Sequence, residues 1–337
     1  MAENPEAEQW RADVLGEGFE QLTLPLGTDD EGEIVATLVR HLPERFLGLQ
    51  IPHGPFADID VLYVHGWSDY FFNRRLARYW AGKGARFYAL DLRKYGRSIR
   101  EGQTPGYITN LNDYDVDIAA AMVAMGRAED GTAPRRLVVL GHSTGGLTLP
   151  LWASRHPDAV DAVILNSPWL EFQLSSAARA ALTPVLGIHS RMRPRDEWPQ
   201  LDLGFYSKAQ LEAADESDPL DINPAWRPEQ TMTVHVGWMN AVIEGHQRVS
   251  LGLGLEMPVL VMLSARTVLP TRWSEELTHS DSVLIVDDIA RASLKLGSSV
   301  TIERIEGALH DIFISRHDAR ELAYERLDRW ATAMLAR

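Results

Sequence analysis

Short apolar runs alternate with segments of helical spacing along much of this chain. The runs are apolar throughout rather than at every second residue, which is typical of strands that are covered on both faces. Parallel strands need crossover connections, and helices usually supply them. The alternation therefore predicts an α/β fold with a mostly parallel, doubly wound sheet. The predicted strands cover 60–64, 85–90, 137–140, 160–165, 257–263 and 299–305, with weaker patterns at 20–26 and 33–40, and the predicted helices cover 73–83, 114–125, 144–155 and 319–337.

The alternation stops after Pro168 and resumes at Met257. The residues between them carry scattered aromatic side chains and a proline- and arginine-rich patch. A stretch of roughly 80 residues is within the usual size range of a subdomain. We predict a core formed by residues 1–168 and 256–337, with a helical cap inserted at 169–255. Residues 1–20 are expected to be a helical or loose lead-in to the core.

Composition excludes several classes of function. The chain has 337 residues and a formal net charge of −14, whereas a nucleic-acid-binding protein needs a basic face. It has no cysteine, which excludes disulfides, thiolate catalysis and zinc sites built from cysteine. Its N-terminus is acidic and lacks the basic and apolar regions of a signal peptide, and no apolar stretch approaches the ~20 residues of a membrane span. We expect a cytoplasmic protein without stable membrane insertion.

The most specific chemical signal is the sequence GHSTG at residues 141–145. It follows a predicted strand and precedes a predicted helix. In a G-x-S-x-G turn of this kind the serine stands clear of the sheet in a strained conformation, and the glycines avoid clashes with the neighbouring backbone. The motif indicates that Ser143 is a nucleophile. The alternative, a glycine-rich turn that only packs, loses weight if the partners of a serine nucleophile occur elsewhere in the chain.

A serine that attacks a carbonyl group needs two backbone N–H donors for the oxyanion. The Thr144 N–H, directly after the serine, is one candidate. The sequence HGW follows an early predicted strand, so the Trp67 N–H is the second candidate. His65 and Gly66 are expected to face the substrate from the same loop. Taken alone, this histidine–glycine pair would indicate only a turn.

The general base is expected late in the chain, after a strand. His310 lies in such a loop, and a neutral imidazole can accept the serine proton and return it to the leaving group. The acid should come between the serine and the base in chain order. The residues directly after the strand 257–263 include no carboxylate, so the candidates are Asp281, Asp287 and Asp288. Asp281 precedes an apolar segment and is preferred.

Together these motifs resemble those of the α/β-hydrolase superfamily, and most closely its capped branch of monoacylglycerol lipases, lysophospholipases and serine aminopeptidases (S33). The resemblance covers about residues 35–168 and 257–335. The stretch DLRKYGRS at 91–98 is similar to the D-x-R-G-x-G-x-S of this family, with Lys94 in place of the usual glycine, and GALH at 307–310 is similar to its late G-x-x-H. DSV at 281–283 resembles the segment of the family's acid, although it lies farther from the preceding strand.

The resemblance implies an α/β-hydrolase fold and the hydrolysis of a small-molecule carboxylic ester. Ser143 would form an acyl-enzyme with His310 as the base and Asp281 as the acid, and the reaction would need neither a metal nor an organic cofactor. Aromatic residues of the cap would shape the pocket, in particular Trp169 and Trp238. Each of them could equally belong to the core of the cap.

Three alternatives remain open. An acidic patch in the cap would favour an amine-bearing peptide substrate and hence an aminopeptidase; it consists of Glu212, Asp215 and Glu216. The same catalytic residues could hydrolyse another amide, a lactone or a carbon–carbon bond. A hydrolase fold can also serve as a non-catalytic ligand-binding protein, which the displaced acid favours and the presence of Ser143 and His310 opposes.

Overall fold

A computed structural model describes residues 9–43, 53–172, 186–200, 202–214 and 218–336. Within these ranges the predicted strands are present, and they belong to one sheet. The strands are β1 (Arg11–Ala12), β2 (Phe19–Asp29), β3 (Gly32–His41), β4 (Ile59–Val64), β5 (Arg86–Asp91), β6 (Arg136–His142), β7 (Ala162–Asn166), β8 (Val259–Ser264) and β9 (Val300–Ile305).

The strands lie in the order β1-β2-β3-β5-β4-β6-β7-β8-β9. Strands β1, β2 and β3 pair antiparallel with their neighbours, and β3 pairs antiparallel with β5. Every neighbouring pair from β5 to β9 is parallel. The prediction of a mostly parallel sheet is therefore confirmed.

Helices cover both faces of this sheet, which confirms the double winding. Trp80 and Leu327 belong to an apolar cluster with Val61 of β4, whereas Ile118 and Leu151 belong to a second cluster on the opposite face. The helices are α1 (Arg74–Gly82), α2 (Tyr114–Ala124), α3 (Gly145–Arg155), α4 (Phe205–Ala213), α5 (Val236–Leu251), α6 (Val286–Ser293) and α7 (His317–Leu335), and residues 186–192 are also helical. Short 3-10 turns lie at Gly96–Ser98, Leu111–Asp113, Glu275–His279 and Ile312–Ile314.

The lead-in differs from the helical alternative, which is wrong over the described residues 9–18. Arg11 and Ala12 form β1 and pair with β2. Gly16 and Gly18 have φ values of +89° and +81°, a region that glycine enters without steric cost. These glycines turn the chain back on itself, so a hairpin forms where a helix could have continued.

The segment between β7 and β8 carries helices α4 and α5 and, among its described residues, adds no strand to the sheet. Helix α5 packs closely on α3, since a Cβ on Gly245 would lie 3.2 Å from the side chains of Leu147 and Leu151. The segment therefore lies against the core next to the end of β6. None of the described helices combines the length and the apolar character that crossing a bilayer takes.

Candidate active site

Ser143 lies in the turn between β6 and α3 with a backbone φ of +50°. A positive φ is unfavourable for a residue with a Cβ, so the surrounding fold must hold this turn. The Ser143 N–H donates to the Asn166 carbonyl oxygen at 3.1 Å. A Cβ on Gly145 would lie 2.3 Å from the Val64 carbonyl oxygen, so only glycine lets α3 begin directly against β4. The result is a partly exposed serine at the N-terminus of a helix.

Three side chains from different loops form one hydrogen-bonded row. His310 Nδ1 lies 2.9 Å from Asp281 Oδ2, and His310 Nε2 lies 3.1 Å from Ser143 Oγ. Because a carboxylate only accepts, Nδ1 carries the proton, and Nε2 of the neutral ring accepts from the serine hydroxyl. His310 and Asp281 are 2% and 0% exposed. This arrangement suits a serine nucleophile activated by an oriented base.

Asp281 reaches His310 because the chain makes a closed excursion after β8. The Asp281 N–H donates to the Arg266 carbonyl oxygen at 3.0 Å, and the Val268 N–H donates to the Asp281 carbonyl oxygen at 2.9 Å. Residue 281 thus pairs with residue 267 in an isolated bridge. The residues between 268 and 281 form a closed loop, so the Asp281 carboxylate stays near the end of β8 despite the long connection.

The other two carboxylates that the sequence left open lie in the first turn of α6 and contact other groups. Asp287 pairs with Arg304 at 2.6 Å, and Asp288 pairs with Arg291. Asp281, in contrast, has both oxygens occupied at the site. Its Oδ1 accepts the N–H groups of residues 283 and 284 at 2.7 and 2.8 Å. Among the three candidates, the structure brings Asp281 to His310.

The expected oxyanion donors lie beside Ser143. The loop after β4 passes so close that a Cβ on Gly66 would lie 2.9 Å from the Ser143 Cβ. Trp67 is next in the chain, and Thr144 follows the serine directly before α3. In the described part of the chain, neither the Trp67 N–H nor the Thr144 N–H has a hydrogen-bond acceptor. Two unpaired backbone donors beside a nucleophile meet the requirement of an oxyanion hole.

His65 does not face the substrate, contrary to the expectation for this residue. Its side chain is buried, the Leu92 N–H donates to Nε2 at 3.1 Å, and Nδ1 lies 2.7 Å from the Gly66 carbonyl oxygen. An N–H group only donates, so Nε2 is unprotonated and Nδ1–H donates to Gly66. Burial lowers the pKa of His65 and favours the neutral ring. His65 therefore holds the loop in shape, and Gly66 leaves room for Ser143.

The DLRKYGRS stretch supports the loop after β4 from the side of the core. Asp91 Oδ1 accepts the Phe71 N–H at 2.9 Å, and Asp91 Oδ2 lies 2.8 Å from the Arg97 guanidinium. Arg97 donates to the Phe71 carbonyl oxygen at 3.0 Å and pairs with Asp13 at 2.7 Å. A buried network whose members are paired is rigid. It fixes the far end of the loop that begins at His65.

Lys94 occupies the position where the similar family carries glycine, and it keeps a left-handed backbone with a φ of +63°. Its buried ammonium lies 2.6 Å from both Asp29 and Glu31 of the β2–β3 hairpin. Two carboxylates on one ammonium offset the cost of its burial. The lysine therefore leaves the shape of this loop intact and ties it to the hairpin.

The two tryptophans that were expected to bind substrate take different positions. The Trp169 N–H donates to the Ser143 carbonyl oxygen at 2.9 Å, and the residue is partly exposed beside the nucleophile. Trp238 of α5 is 1% exposed, and its ring centroid lies 4.0 Å from that of Trp67. This ring is covered by Trp67, so it packs behind the loop that follows β4. Direct substrate contact stays a prediction for Trp169, and the structure places Trp238 in the packing against Trp67.

Sequence reasoning missed the residues that tie down the loop of the base. Asn166 at the end of β7 donates to Asp311 Oδ1 at 2.7 Å and accepts the Ile312 N–H at 3.2 Å. The Tyr206 hydroxyl of α4 accepts the Asp311 N–H at 3.2 Å, and its ring centroid lies 5.6 Å from that of His310. A polar residue at a strand end is a usable sequence signal for Asn166. No local pattern marks Tyr206.

Two sequence similarities to known proteins bear on this site. The pattern of the family "Serine aminopeptidase, S33" matches residues 57–316, which is more than half of the chain. The monoacylglycerol lipase of Mycolicibacterium smegmatis is 25% identical over 280 residues, which covers 82% of this chain and 88% of that lipase. The residues 57–316 that the family pattern matches include Ser143, His310 and Asp281.

Solved structures are also similar to this chain. The monoacylglycerol lipase of Paleococcus ferrophilus superposes with a TM-score of 0.60 at 19% identity, covering 83% of this chain and 96% of that one. A soluble variant of the monoglyceride lipase of Saccharomyces cerevisiae, solved with a substrate analogue, gives a TM-score of 0.60 at 13% identity, covering 93% and 96%. At these identities the structures establish a shared fold, and they confirm the prediction of an α/β-hydrolase.

Proposed function

Because this chain belongs to the serine aminopeptidase, S33 family of α/β-hydrolases and is an ester-cleaving serine hydrolase, we propose that its catalytic residues are Ser143, His310 and Asp281. The observation that carries the proposal is their hydrogen-bonded row, with distances of 2.9 and 3.1 Å. The chain order of serine, acid and histidine is the order of this fold. The N–H groups of Trp67 and Thr144 complete the site as the oxyanion hole.

In the proposed reaction, the Ser143 oxygen attacks the ester carbonyl carbon while His310 Nε2 takes the hydroxyl proton. The two backbone N–H groups stabilise the charge on the carbonyl oxygen. When the tetrahedral intermediate collapses, His310 gives the proton to the leaving alcohol, and an acyl-serine remains. A water molecule that His310 deprotonates then attacks the acyl carbon, releases the carboxylic acid and restores the serine. Asp281 orients the imidazole and stabilises its charged form.

We propose a small-molecule ester of the monoacylglycerol type as the substrate class. The similarity to the M. smegmatis lipase over most of both chains supports this choice. The alternative, an aminopeptidase, would need an acidic patch for the free amine of its substrate. Of that patch, Glu212 is near Lys208 at 3.7 Å on the surface of α4, and Asp215 and Glu216 lie outside the described residues. Nothing observed at the patch therefore favours an amine over an ester.

We further propose that residues 169–255 act as a cap on the core formed by 1–168 and 256–337. Contacts at two points support this. Trp169 bonds to the backbone of Ser143, and Tyr206 bonds to the backbone beside His310. A cap that touches both the nucleophile and the base is placed to shape the pocket between them.

A fluorophosphonate probe and a substrate series test the proposed function. The wild-type protein should be labelled at Ser143 and should hydrolyse p-nitrophenyl esters of graded chain length faster than aminoacyl nitroanilides. Ser143→Ala should lose labelling and about four orders of magnitude of turnover or more while it keeps its melting temperature. Ser154→Ala is the matched control, because that hydroxyl donates to the Leu151 carbonyl oxygen within α3, away from His310. Labelling at another residue, or faster cleavage of nitroanilides, would contradict the proposal.

The location of the enzyme and its independence of cofactors stay predictions. We propose a cytoplasmic location, which the lack of cysteine supports. Fractionation of cells that express the full chain, with the protein followed by fluorophosphonate labelling, would test the location.

A further inference from the structure

Ser68, Asp69 and Tyr70 directly follow Trp67. Each of them bonds to the same stretch of chain between β7 and β8. We call residues 65–72 the oxyanion loop and residues 223–232 the strap. We propose that the strap positions the oxyanion loop, so that the Trp67 N–H meets the transition state only while Asp69 and Arg227 are paired. This inference rests on the proposed function. It makes Asp69 and Arg227 positioning residues, since neither touches Ser143 or His310.

The central contact between the oxyanion loop and the strap is an ion pair. Asp69 Oδ1 lies 2.9 Å from Arg227 Nε, and the two side chains are 8% and 9% exposed. Arg227 also donates to Gln210 Oε1 of α4 at 2.5 Å, so its guanidinium is fixed from two sides. Burial raises the pKa of Asp69, and the charge of Arg227 opposes this rise. A carboxylate at this depth stays charged and in place only with its partner.

The residues on either side of Asp69 accept backbone N–H groups of the strap. The Met232 N–H donates to Ser68 Oγ at 3.0 Å, and the Asn223 N–H donates to the Tyr70 hydroxyl at 2.8 Å. Ser68 directly follows Trp67 and has a φ of +51°, a left-handed conformation that persists only when its surroundings hold it. The strap therefore holds the strained residue that directly follows Trp67, the oxyanion donor of this loop.

The core holds the ends of the oxyanion loop, and the strap holds its middle. From the core, the Leu92 N–H bonds to His65, and Asp91 and Arg97 bond to the backbone of Phe71. Within the described residues, the side-chain hydrogen bonds and the ion pair that tie residues 68–70 to another segment all go to the strap. A donor displaced by an ångström costs a reaction about 10²-fold. Loss of the contacts between the strap and the oxyanion loop should therefore weaken the stabilisation of the transition state.

The test compares Arg227→Met, Asp69→Asn and the double variant with the wild-type enzyme in p-nitrophenyl ester hydrolysis. We expect kcat of Arg227→Met to fall by about 10- to 100-fold with KM changed less than about two-fold. Affinity for a trifluoromethyl ketone, whose adduct places an oxyanion in the hole, should fall by the same factor as kcat. Affinity for a non-hydrolysable ether analogue of the substrate should not change.

The double variant separates positioning from the burial of an unpaired charge. It removes both charges, so it should recover the melting temperature lost in Arg227→Met while kcat stays low. Arg195→Met is the matched control, because Arg195 also joins this segment to the core, at Asp30, but lies outside the oxyanion loop. It should keep the wild-type kcat.

Two outcomes would overturn the role of the strap. One is a wild-type kcat in Arg227→Met and in the double variant. The other is a reduced kcat with unchanged ketone affinity, which would place the defect away from the oxyanion hole. Failure of the proposed function looks different, because Ser143→Ala would then hydrolyse the ester at the wild-type rate whatever the state of the strap.

Discussion

The carboxyl edge of the sheet and the segment 169–255 contribute to the site in different ways. At the edge, the proposed nucleophile and base each lie in a short motif directly after a strand, and the acid lies at a bridge that closes on a strand end. In the segment, Tyr206 and Arg227 belong to no motif and contact the core through a hydrogen bond of 3.2 Å and an ion pair of 2.9 Å. The proposed catalytic residues can thus be found from local sequence patterns. The residues that position them cannot, because their contacts depend on how two distant parts of the chain pack together.

The largest effect should come from the edge of the sheet. Asp281→Asn keeps the shape of the side chain but can place an amide against His310 Nδ1, so the ring loses the tautomer that accepts from Ser143. We expect kcat for ester hydrolysis to fall about 10⁴-fold with the melting temperature nearly unchanged. Asp287→Asn is the control, since Asp287 pairs with Arg304 on the surface. Equal activity in the two variants would remove Asp281 from the proposed triad.

A smaller effect is expected from the segment. Tyr206→Phe removes the hydroxyl that accepts the Asp311 N–H next to His310. An N–H left without a partner costs about 1–3 kcal/mol, and we expect roughly a ten-fold fall in kcat as the base loop shifts. Tyr79→Phe is the matched control, because its hydroxyl bonds to Asp328, away from the site. If both variants kept the wild-type kcat, the segment would not act on the base through Tyr206.

The smallest effect concerns the pH dependence of stability and separates the two regions in another way. Burial lowers the pKa of His65 and of His142 below the ordinary value of 6.5. Below pH 6.5 these two histidines take up protons in the unfolded chain and not in the folded chain, so their contribution to stability should fall as the pH falls through that value. Each group adds a slope of at most about 1.4 kcal/mol per pH unit.

Urea unfolding at pH 7.5, 6.5 and 5.5 measures this slope. His65→Asn should lose less stability per pH unit than the wild type, because only one of the two buried histidines, His142, then contributes to the slope. Arg227→Met, a change in the strap, should lower the stability, and its pH dependence should tilt the opposite way, because burial without Arg227 raises the pKa of Asp69 further and favours its protonated form in the folded state. An unchanged slope in His65→Asn would mean that the Leu92 N–H does not keep this ring neutral.

The rhythm of apolar runs was sufficient for the sheet because burial on both faces is recorded locally in each central strand. The strand predicted at 137–140, for example, is observed within Arg136–His142, and those four residues are fully buried. The elbow at Ser143 and the loop of His310 were found in the same way, because a turn after a strand leaves its glycines in the sequence. The helical alternative for residues 9–18 failed because two glycines with positive φ decide that turn.

Other features depend on contacts that no local pattern records. His65 looks like a substrate-facing residue until the Leu92 N–H, more than twenty positions later, is seen to occupy its ring nitrogen. Trp238 looks like a lining residue until Trp67 is seen to cover it. Asp69 and Arg227 belong to no motif, and their pairing follows from the way the segment returns over the loop after β4. These are properties of the assembled chain.

The closed excursion between residues 266 and 281 also makes the position of Asp281 independent of the number of residues in the excursion. Its two ends are tied to each other by backbone hydrogen bonds, and the entropy of closing a loop grows only with the logarithm of its length. Its outer part is open to solvent, with Leu269 51% exposed. A reporter peptide inserted after Leu269 should therefore be tolerated while Asp281 stays beside His310. The excursion is therefore a site for attaching a reporter close to the catalytic residues, and we expect the attachment to leave the activity unchanged.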